Sequence, residues 1–251
     1  MNWKENLSEK RMNPEAVRRM IGLLASTRGT GTSLYSPPIK KDDDLQLPGG
    51  IVLPEEVKIR AQGSSTGFAV FSQRQNTETE HNLVLPPFPV GKALAASYIE
   101  TAPLIQILEG QYVIGIILIR LGSFAFGVSK GQNLITSKVG TGLVHGRHRQ
   151  GGSSANRFAR HREKQIEVFF TRACSYLREY LEPHIKEIDY MLYGGAWTTI
   201  QEFKKQCPFT GLLKQPELPS LLNLPDPRQT VLLKALERTW SSRVFTWTGQ
   251  Q

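Results

Sequence analysis

Residues 112–137 read YVIGIILIRLGSFAFGVSKGQNLITS. The run 112–119 is apolar throughout, too short to span a bilayer and without the alternation of a one-faced strand. It reads as a strand in a sheet covered on both faces. Leu121-Gly122 turns the chain, residues 123–128 return as a second strand, and 132–137 supply a third in the same meander.

Downstream, apolar residues at 155, 158, 159, 166, 169, 170, 173, 177, 180 and 181 recur at helical spacing. They predict one long helix from Ser154 to Pro183. Residues 188–193 form a further strand, Gly194-Gly195 a turn and 198–206 a helix. The proline-rich stretch 208–227 is irregular, and Asp226-Pro227 opens a last helix running to about Trp240. Strands, a long helix, a strand and helices again make an α/β layered domain over residues 92–251.

Upstream, Asn13-Pro14-Glu15 has the form of a helix start, and Val17, Met20, Ile21 and Leu24 give that helix one apolar face. TSLY at 32–35 is a short strand, and 40–50 (KKDDDLQLPGG) is a breaker-rich loop. Residues 67–72 and 82–90 are strands around a polar hairpin. Residues 1–91 are therefore expected to form a smaller, strand-rich α+β module whose role the sequence leaves unassigned.

The chain carries 31 Lys plus Arg against 22 Asp plus Glu, net +9, a balance that favours polyanionic partners. The excess is local. Between Lys138 and Lys164 stand seven Lys or Arg (138, 147, 149, 157, 160, 162 and 164) and one acid, Glu163, together with His145, His148 and His161. Cys174 and Cys207 are too few for a disulfide framework or a CxxC zinc site, and both read as buried thiols in a reducing compartment. The polar start MNWKENLSEKRMN lacks the apolar core of a secretory signal, so the expected location is cytoplasmic, with no membrane partner.

The basic stretch surrounds RQGGSS at 149–154. Paired glycines let backbone approach another surface closely. Set just before a helix, they leave its first N–H groups and positive dipole end facing outward. Arg157, Arg160, His161 and Lys164 fall at i, i+3, i+4 and i+7, on one face of the first helical turns. A linker would use GGSS too, but it would not need flanking arginines. With cations on both sides and no GxxxxGK[ST] cradle, RNA fits better than a mononucleotide.

The run 145–163, HGRHRQGGSSANRFARHRE, resembles the GGQ loop and following helix in the middle domain of eukaryotic and archaeal class I release factors. The pattern there is GGQSxxRFxRxR, matched here by Gly151, Gly152, Ser154, Ala155, Arg157, Phe158, Ala159, Arg160 and Arg162. TSLYSPP, FPV at 88–90, YVIGIILI and IDYMLYGG follow the family in order. With no third, GTPase-recruiting domain expected, the shape resembles the bacterial VLRF-type release factors.

That resemblance implies an RNase H-like sheet with a long basic helix, and a peptidyl-tRNA hydrolase that frees nascent chains from stalled large ribosomal subunits. The implied partners are large-subunit rRNA and peptidyl-tRNA, with no DNA, no cofactor and a monomeric state. Arg147, His148, Arg149, Arg157, Arg160, His161, Arg162 and Lys164 would grip RNA. Gln150, Gly151, Gly152, Ser153 and Ser154 would form the catalytic loop. The family's glutamine is replaced by Ser153, so either Gln150 or Ser153 places the water. Two alternatives stand beside ester hydrolysis: a ribosome- or tRNA-binding rescue factor without hydrolysis, and a nuclease for the tRNA acceptor end.

Other chemistries fit less well. His145 and His148 lack a third ligand nearby, so no metal site is expected. A Ser-His-Asp scheme is set aside for want of a nucleophile elbow. Glu163, Glu167, Glu179, Glu182 and Asp189 read as helix-surface residues instead of a metal cage.

Overall fold

A computed structural model describes residues 7–27, 30–39, 47, 51–75, 78–146 and 155–250. Along the chain run β1 (Ser8–Met12), α1 (Pro14–Ser26), β2 (Gly31–Ser36), α2 (Glu55–Gln62), β3 (Phe68–Gln75), β4 (Glu78–Leu85), β5 (Leu94–Ala96) and α3 (Ala102–Glu109). Then follow β6 (Val113–Arg120), β7 (Ser123–Lys130), β8 (Asn133–Thr141), α4 (Ala155–Leu181), β9 (Tyr190–Gly194), α5 (Trp197–Gln206), α6 (Gln229–Thr239) and β10 (Ser242–Gln250). The mixed α/β class expected from the sequence is present. Among the described residues no helix is long and apolar enough to cross a membrane.

The chain divides into two compact units, one of residues 1–110 with 237–251, the other of residues 111–236. This differs from a single boundary at 91/92, because the C-terminal strand leaves α6 and returns to the first unit. There β10 pairs antiparallel with both β1 and β4, in a six-stranded sheet ordered β1-β10-β4-β3-β2-β5. Phe68, Val70, Leu83, Phe245 and Trp247 form its buried core with Val57 and Ala61 of α2. Asn13 caps α1 as its sequence predicts, its Oδ1 accepting the Ala16 N–H at 2.8 Å. The strand read as 82–90 stops at Leu85, before Pro86-Pro87, which have no N–H to continue a ladder.

The second unit holds the sheet β8-β7-β6-β9, an antiparallel meander with β9 parallel to β6. This is the 3-2-1-4 order of an RNase H-like sheet. Val113 to Ile119 are all buried, as a doubly covered strand requires. One face packs Ile117, Phe124 and Phe126 on Phe169, Phe170 and Leu177 of α4 and Phe203 of α5. The β6–β7 turn places Gly122 at φ +94°, where side chains are disfavoured. After β9, Gly195 lies at φ +127°, and a Cβ there would stand 2.1 Å from the Ile119 carbonyl oxygen.

Three expectations are corrected. Cys174 and Cys207 are not free thiols: they form a disulfide joining α4 to the end of α5, with Cα atoms 5.4 Å apart. Phe158 and Ala159, read as part of the apolar face of α4, are exposed, and the helix first enters the core at Ile166. The last helix also begins at Gln229, two residues after the Pro227 expected to open it.

Candidate RNA-binding site

The charge sits in the second unit. Residues 111–236 hold 17 Lys plus Arg against 9 Asp plus Glu, net +8, which leaves +1 for the first unit.

Helix α4 is 27 residues long, about 40 Å at 1.5 Å per residue. Its core-facing stripe begins at Ile166, so its first turns extend about 16 Å beyond the packed part. Arg157, Arg160, His161 and Lys164 are all exposed there. None of the four takes part in an ion pair among the described residues. Three cations and a histidine on one helical face, in no ion pair among the described residues, present a row of positive charge to water.

Arg162 is placed differently. It is half-buried, and its Nε donates to the His145 carbonyl at 2.9 Å. The His145 N–H donates in turn to Gln165 Oε1 at 3.1 Å, and the His145 and His161 rings lie 6.3 Å apart. Nearly three turns beyond Arg162, Arg172 Nη1 donates to the Thr141 carbonyl at 3.3 Å. The chain that leaves β8 is thereby tied to the side of α4 at two points. Lys138 and Arg172 flank the Tyr176 ring, with Lys138 Nζ 4.4 Å from its centroid. This brings His145 beside His161, and Arg172 to a groove shared with His161 and Lys164.

Arg147, His148, Arg149, Gln150, Gly151, Gly152, Ser153 and Ser154 lie outside the described residues. Sequence reasoning missed Gln165 and Arg172, whose polar ends hold the connector. Their spacing from Arg162 (i+3 and i+10) was the available signal.

Glu182 pairs with Arg178 at 3.0 Å, which holds its carboxyl below the ordinary range. Asp189 accepts the Val113 N–H at 2.8 Å. Among the described residues no three His, Cys, Asp or Glu side chains converge as a metal site would require. A GxSxG spacing does occur, at residues 63–67 (GSSTG). It joins a helix to a strand, the reverse of the strand-to-helix turn of a nucleophile elbow. Ser64 Oγ donates to the Gly67 carbonyl at 2.7 Å, and this segment belongs to the turn.

A family model described as Actinobacteria/chloroflexi VLRF1 release factor matches residues 112–245, just over half of the chain. Peptide chain release factor subunit 1 of Archaeoglobus fulgidus is 32% identical over 117 residues, covering 47% of this chain and 29% of that protein. Its namesake from Methanopyrus kandleri is 26% identical over 219 residues, covering 74% and 53%. The chain thus spans about half, or less, of the length of these curated relatives. A crystal structure of the archaeal translation termination factor aRF1 aligns with 91% of this chain and 73% of its own, at 18% identity and a TM-score of 0.39.

Proposed function

The chain belongs to the Actinobacteria/chloroflexi VLRF1 release factor family, and from that premise we propose that it is a peptidyl-tRNA hydrolase that frees nascent chains from stalled large ribosomal subunits. The observation that carries this reading is the exposed cationic start of α4, unpaired among the described residues and following directly on the glycine-serine run 151–154. Arg157, Arg160, His161 and Lys164 would bind rRNA or acceptor-end phosphates by releasing counterions. Gly151 and Gly152 would let backbone approach the reacting ester.

The chemistry is positioning plus electrostatic stabilisation. A water held by Gln150 or Ser153 attacks the ester carbonyl carbon, and the Ser153 N–H stabilises the oxyanion. The bond to the tRNA 3′ oxygen then breaks, that oxygen takes one proton of the water, and the peptide leaves as a carboxylic acid that gives the other proton to solvent. The working partners are large-subunit rRNA and peptidyl-tRNA, bound by a monomer in the cytoplasm.

Ser153, standing where the family motif has glutamine, favours one second reading: a rescue factor that binds without hydrolysing. Incubation with large subunits carrying peptidyl-tRNA separates the two. Free peptide with intact tRNA supports the hydrolase. Unchanged peptidyl-tRNA that co-sediments with the protein supports the binding factor, and peptide joined to a CCA fragment identifies a nuclease. Gln150→Ala and Ser153→Ala assign the water-holding residue. If neither slows release while Gly152→Val does, that assignment is overturned and the loop keeps its role.

A further inference from the structure

Between the connector leaving β8 and the flank of α4 lies an open groove of about 280 Å³. Its floor is closed by Gly142, which covers the buried Phe169 ring so closely that a Cβ there would come within 2.7 Å of Cδ2. Its walls are two aliphatic side chains left largely in water, Leu143 (71% exposed) and Val168 (61% exposed). His161, Lys164 and Arg172 line it as well, and among the described residues no carboxylate does. Gln165, whose Oε1 is taken by the His145 N–H, keeps its NH₂ group for a polar edge.

An apolar slot bordered by cations selects a ligand with an apolar body and an attached anion. We infer that the groove takes one unpaired nucleotide of the RNA bound by α4, an inference that rests on the RNA-binding reading above. The base lies between Leu143 and Val168, and its phosphate meets Lys164 and Arg172. The volume lies just below that of ligand clefts, which start at roughly 300 Å³, and limits the occupant to a single residue of RNA. Unpaired bases are the part of RNA that a protein can cover in this way, because every base offers an apolar face.

The test titrates adenosine 5′-monophosphate, ribose 5-phosphate and octanoate separately into the ¹⁵N-labelled full chain. The nucleotide is expected to bind about tenfold more tightly than either comparison compound, the value of one modest base contact. It should shift amides at 142–145 and 161–172. Val168→Asp, at an exposed position, should weaken it by about tenfold with an unchanged melting temperature, and Leu143→Ser on the facing wall should act the same way. Equal binding of nucleotide and ribose 5-phosphate would overturn the inference, leaving only a cationic surface. Preference for octanoate would overturn it in favour of a different ligand class. Nucleotide binding without peptide release sinks the hydrolase reading and spares the groove, whereas release without nucleotide preference sinks the groove alone.

Discussion

Arg162 Nε donates to the backbone carbonyl of His145 at 2.9 Å, across 17 residues of sequence. The bond joins the connector that precedes the glycine-serine run to the helix that follows it. With the His145 N–H donated to Gln165, both polar groups of one peptide residue are held by α4. A guanidinium that the family resemblance assigns to RNA is therefore also a fastener for the connector.

Removing the fastener should loosen the connector. Arg162→Leu is expected to cost about 1 kcal/mol locally, a charge-assisted hydrogen bond discounted for exposure. Hydrogen exchange at the His145 amide should then quicken about fivefold. Unchanged exchange there would show that Gln165 suffices.

The cationic face makes a salt-dependent prediction. Arg157→Gln with Arg160→Gln removes two phosphate contacts, so the slope of log affinity against log salt for single-stranded RNA should shrink by about 1.4. Filter binding between low and moderate salt reads the slope directly. A slope equal to that of the parent protein would place the RNA elsewhere.

The disulfide closes a loop of 33 residues between α4 and the end of α5. Cross-linking a loop of that length restricts the unfolded chain by about 3–4 kcal/mol. Cys174→Ser with Cys207→Ser should lower the denaturant midpoint accordingly, and dithiothreitol should lower the parent protein's midpoint but not the variant's.

In the first unit, His81 stacks on Trp247 with centroids 5.1 Å apart, and its Nδ1 lies 2.7 Å from Ser72 Oγ. Burial holds the imidazole below the ordinary histidine range, opposed by the Glu80 carboxylate. The unfolded chain therefore takes up this proton first, and stability falls as pH drops below about 6.5. Above that value the histidine is neutral in both states and its contribution is constant. Melting temperatures from pH 8 to pH 5 should decline less steeply in His81→Asn than in the parent.

Much of the second unit was legible because its signals are local. The run 112–119 has no polar residue, and it is the doubly covered β6. The α4 stripe from Ile166 to Leu181 shows its 3.6 period in adjacent turns. Phe158 broke the pattern because periodicity records a helix face without saying how far the partner surface extends. The disulfide was illegible for a related reason: cysteine spacing does not reveal a 5.4 Å Cα approach. The groove joins Leu143 and Val168, 25 positions apart, through packing that no motif announces.

By itself the sequence determined which segments extend, which coil into helices and where positive charge concentrates, since each depends on residues a few positions apart. Tertiary structure alone decided that β10 closes the sheet of the opposite end of the chain between β1 and β4. It also decided that Arg162 binds a carbonyl while Arg157 and Arg160 face water. Such outcomes depend on contacts between distant segments, whose loop-closure cost is repaid only when the whole sheet and core assemble together.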